Sequence, residues 1–286
     1  SLKPALEARI QPSMEWERLS AVPTEDLLRL AEAAEKSAMV ESLGLGAVAG
    51  AASQAMAKWL PEETSRLLCV VARSKLGLQS EGVQEFLAAA VEFLKQHLKR
   101  LGLRHLVDLT VAASTMEPCQ PLFESAVDAV LSRKGELDSS MLMPLTDALL
   151  PRLGLGHKLV VGMLDAWVQL MSSASGRKAE AGTVEADQAA HLAELLAPMM
   201  PDALTEDQKG VFESIGRFLE QAAGRLTEAG RLSLQVAFPG GAGPAFAGKE
   251  QLLAVVSRQS RRSRSRDNAK RPQARDEPKK DAGERK

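Results

Sequence analysis

The chain has 286 residues, 45% of them apolar and 26% charged, which excludes collagen-like, mucin-like and wholly disordered proteins. No run approaches 18 consecutive apolar residues, so the sequence offers no helical membrane span. The formal net charge of −1 conceals a split: Ser257–Lys286 carries 12 basic and 5 acidic residues (+7), and the rest carries 24 and 32 (−8).

Ala and Leu dominate, aromatic residues are 3%, and β-branched runs are scarce, so the expected class is all-α. Residues 1–18, with Pro4 and Pro12, read as an N-terminal extension. Thr24–Lys36 reads as the first amphipathic helix. Thr24 is placed to cap it, Glu25 and Asp26 suit its positive end, and Leu27, Leu28, Leu30, Ala31 and Ala34 form one stripe.

That helix then recurs. Leu27 and Leu30 are matched by Leu67 and Val70, by Leu106 and Leu109, and by Leu145 and Ala148, at intervals of 40, 39 and 39 residues. Leu192 and Leu195 follow after 47, the excess falling in the polar stretch Ser172–Thr183, which reads as an inserted loop. Leu232 comes 40 later, with Gln235 at its partner position, so this last unit reads as degenerate or as a cap.

A second helix is expected between anchors each time: Val40–Leu60, Gly82–Leu101, Pro121–Lys134, Lys158–Met171 and Thr205–Ala223. Pro61 suits a first helical turn, and Gly77, Gly102, Gly135 and Gly154–Gly156 sit where the chain must reverse. A two-helix unit of this length cannot bury both faces alone, and stacking on its neighbours supplies the missing contact. The expected fold is an α-solenoid of about five to six helical hairpins with a ~39–40-residue period, spanning 19–238. The alternative is an irregular helical bundle. Residues 239–259 read as a linker (Pro239–Gly248) and terminal helix (Lys249–Gln259), and 260–286 as a disordered Arg-rich tail without a large apolar residue.

Catalytic chemistry finds little support. Cys69 lies in LLCVV and reads as a buried thiol, and Cys119, between Pro118 and Pro121, as a more exposed one without a base nearby. His97 and His105 are separated by a helix break, and His157 and His191 stand alone, so no metal-ligand cluster forms. Gly44-Leu45-Gly46 followed by Gly50 has no preceding strand, so it reads as close helix packing rather than a phosphate loop. We therefore assign no catalytic, cofactor-binding or metal-binding residue and expect no small-molecule substrate.

Two basic features remain. One is a ridge of Lys95, Lys99, Arg100 and Arg104, joined by His97 and His105, with Arg66, Arg73 and Lys75 one helix earlier. On equivalent helices of a solenoid such a cluster can follow a phosphate backbone; the alternative, and for any one of its residues taken alone the first reading, is a solvated helix surface. The other is the tail, where Arg258, Arg261, Arg262, Arg264 and Arg266 put five guanidiniums within nine residues, followed by Lys270 and Arg271. Guanidinium grips phosphate bidentately, and arginine-rich arms fold along RNA. A nuclear-targeting signal, an anionic-membrane contact or a solubilising tail are the other uses of such a segment.

The segments LSAVPTEDLLRLAEAAEK (19–36), LGLRHLVDLTVAAST (101–115) and LMPLTDALLPRLGLGHKLV (142–160) resemble the helical-hairpin repeats of organellar RNA-associated proteins, of heptatricopeptide or octotricopeptide type. The resemblance covers roughly 19–238 and lacks the RAP module that often accompanies such repeats. It implies organellar RNA work, in transcript maturation, translation or a mitochondrial ribosome. With the charge split it leads us to expect a non-catalytic subunit of a mitochondrial ribosome or related ribonucleoprotein, with a mitochondrial location, or else another organelle or the cytoplasm. The acidic body then meets neighbouring proteins, and the tail and ridge meet RNA, in the first instance rRNA. The alternative is a protein–protein scaffold without nucleic-acid contact, using Met-rich surfaces such as Met141–Met143 and Met199–Met200.

Overall fold

The structure, a computed structural model, describes residues 19, 21–36, 44–74, 80–174, 184–199, 206–239, 250 and 253–254. Among them every regular element is helical. The helices are α1 (Thr24–Lys36), α2 (Leu45–Gln54), α3 (Pro61–Ser74), α4 (Glu81–His97), α5 (Leu103–Ser114) and α6 (Gln120–Ser132). They continue with α7 (Ser139–Leu153), α8 (Lys158–Ala174), α9 (Ala186–Leu196), α10 (Glu206–Ala222) and α11 (Glu228–Ala237).

Local chemistry explains where the helices begin. Pro61 opens α3, where its missing N–H costs nothing. Asp138 caps α7 by accepting the Met141 amide at 3.0 Å. Glu185 and Gln188 form a reciprocal capping box at the start of α9. Thr227 caps α11, accepting from the Gly230 amide. Thr24 does not act as the expected cap. Its hydroxyl donates to Glu63 Oε2 of α3 at 3.1 Å, while the Pro23 carbonyl accepts the first amides of α1. That same Glu63 oxygen accepts the Leu60 amide at 3.0 Å and so helps to cap α3.

The helices alternate in how they pack. α1, α3, α5, α7, α9 and α11 contact one another in succession, and so do α2, α4, α6, α8 and α10. α1, α3, α5, α7 and α9 also each pack on the even helix that follows. The apolar core runs between and along these two rows, because each helix presents its stripe to its partner and both neighbours. The anchors Leu27, Leu67, Leu106, Leu145 and Leu192 are all buried. Each buried leucine contributes about 1.5–3 kcal/mol.

The sixth anchor corrects the sequence reading. Leu232 is 56% exposed, whereas Leu234 is buried. α11 begins at 228 and α9 at 186, so the position matching Leu192 is Leu234. The register is set by Gly230, which packs against the Asp187 carboxylate where a Cβ would collide. The longer interval between α7 and α9 coincides with the polar stretch predicted as an insertion, of which residues 175–183 lie outside the described residues.

The glycines of 44–50 behave as close packing. Gly44, with φ of 63°, precedes α2. A Cβ on Gly82 would collide with the Gly46 carbonyl oxygen and lie 3.2 Å from Gly50 Cα, so α2 and α4 approach backbone to backbone. Trp167, fully buried on α8, donates its indole N–H to Thr146 Oγ1 of α7 at 3.0 Å, a satisfied polar contact inside the core. Cys119 corrects a second expectation. It is fully buried, because the short 3-10 turn Glu117–Cys119 folds inward beside the buried Met116 and Leu122. Met141, Met143 and Met199 are half-buried against the core rather than displayed. Glu250, Leu253 and Ala254 are helical, with Leu253 packed on the core. No helix among the described residues is long and apolar enough to cross a membrane.

Candidate nucleic-acid interface

The predicted ridge forms around the reversal between α4 and α5. α4 ends at His97 and passes into a 3-10 turn, Leu98–Arg100, so the run of helix that would align Arg100 with Arg104 is interrupted. Leu98, Leu101 and Leu103 are buried and pin this turn to the core. Lys99 and Arg100 therefore face outward from the turn, and Arg104 faces outward from the first turn of α5. Among the described residues none of these three cations has a hydrogen-bond or ion-pair partner. Lys95, in the last turn of α4, lies 3.8 Å from Glu92. His97 stacks on Phe93 with ring centroids 4.5 Å apart, and its Nδ1 donates to the Phe93 carbonyl at 2.8 Å. His105 is half-exposed beside Arg104.

Helix ends explain half of this pattern. Cations belong at the C-terminal end of α4, where the helix dipole is negative. The start of α5 is different. Its first turn holds no carboxylate, and Gly102 supplies no side-chain cap. α1, α3, α9 and α11 carry Glu25 and Asp26, Glu62 and Glu63, Asp187, and Glu228 in their first turns, and α7 is capped by Asp138, whereas α2, α6 and α8 share with α5 a first turn without a carboxylate. What sets the α5 start apart is the group of cations beside it. Uncapped amides at the positive end of a helix, beside three unpaired cations, suit an anion.

The neighbouring cations are already engaged. Arg133 donates to the Leu101 carbonyl at 3.0 Å and to both Glu136 oxygens, at 3.2 and 2.8 Å. The Glu136 hydrogen bond raises the Arg133 pKa, and Arg133 lowers that of Glu136. Lys134 pairs with Asp165 and Lys158 with Asp128.

The structure removes two residues from the wider ridge. Arg66 bonds Glu32 through two nitrogens at 2.9 Å, and Arg73 grips Glu35 with a second bond at 2.8 Å. Both ties join α1 to α3, and both arginines are neutralised where they stand. Lys75 lies outside the described residues, as do Arg258, Arg261, Arg262, Arg264, Arg266, Lys270 and Arg271 of the tail.

Other chemistry is weak. Burial pushes the Cys69 thiol up to about 12 and the Cys119 thiol up to about 11, so neither carries thiolate near neutrality. Among the described residues no group of three His, Cys, Asp or Glu side chains is placed to hold a metal. A hollow of about 270 Å³ lies beside the start of α1, lined mainly by apolar residues such as Leu19, Val22, Leu27 and Trp59, with Thr24 and Lys58 on its wall.

Sequence reasoning missed the cross-helix polar ties. Arg152 of α7 donates to the Ser114 carbonyl of α5 at 2.6 Å, His191 of α9 meets Asp147 of α7 at 2.9 Å, and Asp187 of α9 accepts from the Thr227 amide and hydroxyl at 2.9 and 2.6 Å. Their separations of 38, 44 and 40 residues lie near the intervals between the leucine anchors read from the sequence, and that spacing of polar residues was the available signal. No protein-family model, curated protein or solved structure matches this chain.

Proposed function

We propose that the chain is a non-catalytic helical-repeat subunit of a ribonucleoprotein, of the organellar ribosomal kind that its repeats resemble. The alternating helix contacts support reading it as an α-solenoid of hairpins. In this reading the acidic body docks on neighbouring proteins. RNA phosphates are met by the α4–α5 turn, through Lys99, Arg100 and Arg104, with Lys95 at its margin, and by the arginine-rich tail. The mitochondrial location belongs to the same reading and rests on the resemblance alone.

One observation carries the proposal. The α4–α5 turn holds three unpaired cations at a helix start without a carboxylate, whereas the cations at the α6–α7 turn are held by Glu136 and Asp165. Phosphate contact needs cations free to displace the counterions condensed on RNA, and the three unpaired cations of this turn support that reading.

Binding of the full chain and of a chain ending at Ser257 to a structured RNA, measured across a salt series, tests the tail. Weaker binding and a shallower salt slope in the shortened chain support the proposal. Equal affinity and equal slope exclude the arm from the contact. A protein–protein scaffold without RNA is the second reading, favoured by the pairing of Arg66 and Arg73 with Glu32 and Glu35. Co-purification with partners that survives ribonuclease supports that reading instead.

A further inference from the structure

The odd-numbered helices are tied to one another by polar contacts, and one tie differs in kind. α1 and α3 are joined by Arg66–Glu32 and Arg73–Glu35, α5 and α7 by Arg152 to the Ser114 carbonyl, and α9 and α11 by Asp187 to Thr227. Arginine keeps its charge and hydroxyls keep their neutrality across the ordinary pH range. α7 and α9 are joined instead by Asp147 and His191. This is also the joint where the chain departs most from the repeat interval, α7 starting at 139 and α9 at 186.

The geometry around His191 requires a particular protonation state. Nε2 lies 2.9 Å from Asp147 Oδ1 on α7, and Nδ1 lies 3.1 Å from Glu194 Oε2 on its own helix. Both partners are carboxylate oxygens, which accept and do not donate when ionised. A neutral imidazole has one N–H, so it would turn a lone pair toward one carboxylate. Only the imidazolium donates to both. Glu194 is held in turn by a hydrogen bond from the Ser233 hydroxyl on α11, which lowers its pKa against the effect of burial, with His191 adding to the lowering. Asp147, His191, Glu194 and Ser233 thus form a polar chain across α7, α9 and α11.

We propose that His191 is a proton-operated clasp that fastens the α9–α11 end of the array to α7 when charged and loosens it when neutral. The groups facing the ring are Asp147 from α7 and Glu194 from α9. α11 contributes the uncharged Ser233 through Glu194, and among the described residues no other ionisable group acts on the ring from α10, α11 or the Ala197–Met199 turn. Burial pulls the His191 pKa down, but the hydrogen bonds to Glu194 and Asp147 outweigh it and hold it above the ordinary 6.5. The charged clasp therefore contributes stability that is fully present below pH 6.5 and is lost as pH rises through the elevated folded value. The side chain is 40% exposed, so the effect is that of a solvent-screened pair, up to about five-fold in the unfolding equilibrium.

Two measurements on the full chain test the clasp. The first follows the ring carbons of the four histidines by NMR from pH 5 to 9, with His191 assigned from H191Q. We expect His191 to titrate above 6.5, and D147N to move its midpoint down while leaving the other histidines unchanged. The second compares urea unfolding of wild type and H191Q over the same range. We expect the ratio of their unfolding equilibrium constants, up to about five-fold at the acid end, to fall toward its value without the clasp at the alkaline end. A His191 that titrates at the ordinary value, a midpoint unmoved by D147N, or a constant difference between the two proteins overturns the proposal.

Discussion

Trp167 gives the sharpest test of how the core is held. Its indole is fully buried, and its N–H donates to Thr146 Oγ1 at 3.0 Å, while the Thr146 hydroxyl donates to the Leu142 carbonyl at 2.7 Å. Thr146→Val preserves shape and volume closely but removes the acceptor. The indole N–H then stays buried without a partner, at a cost of about 1–3 kcal/mol. Trp167→Phe removes the donor and part of the ring, leaves the Thr146 hydroxyl bonded to Leu142, and costs mainly packing. In the double variant the threonine change no longer orphans an N–H, so the two single costs sum to more than the double variant shows. The coupling expected is about 1–2 kcal/mol, within the range for residues in direct contact. Urea unfolding of the four proteins, followed by far-UV circular dichroism, measures it. A Thr146→Val variant within about 0.5 kcal/mol of wild type, or strict additivity, refutes the reasoning.

Trp59 supplies the converse, because its Nε1 is buried without a partner among the described residues. Trp59→Phe is therefore expected to offset its weaker packing by removing an unsatisfied donor, and to cost less than Trp167→Phe in the same assay. The burial of Leu106 and the exposure of Leu232 predict that Leu106→Ala costs about 2–5 kcal/mol, whereas Leu232→Ala costs under about 0.5 kcal/mol, again by urea unfolding. With their thiols pushed up to about 12 and about 11, Cys69 and Cys119 should react with a disulfide reagent at pH 8 only after unfolding. Fast labelling of either in the native protein contradicts their burial. Arg66→Ala and Arg73→Ala should leave the salt slope of RNA binding unchanged, since Glu32 and Glu35 already neutralise these side chains.

The helices were legible because their signal is local. Ala and Leu content, the stripe of Leu27, Leu28, Ala31 and Ala34, and the recurrence of Leu67, Leu106, Leu145 and Leu192 all report on periodicity within one helix and its interval to the next. Leu232 was misplaced because an interval is not a register. Buried Gly230 against Asp187 decides which residue of α11 turns inward, and that contact joins positions 43 residues apart. Cys119 looked exposed because two prolines flank it, yet the prolines build an inward turn. The candidate site was half legible. Lys99, Arg100 and Arg104 could be read as a cluster, but which arginines are free depends on carboxylates of other helices. Nothing near Arg66 in sequence announces Glu32 as its partner, 34 residues away.

The central claim is that the α4–α5 turn offers free positive charge to phosphate. Its direct test is the salt dependence of RNA binding by the full chain carrying Lys99→Ala, Arg100→Ala and Arg104→Ala together, against wild type. All three side chains are exposed, so the fold is expected to survive, which circular dichroism checks. Each phosphate left without its cation takes about 0.7–0.9 off the slope of log affinity against log salt, so a slope shallower by roughly two units and weaker binding at low salt are expected. An unchanged slope and affinity contradict the account.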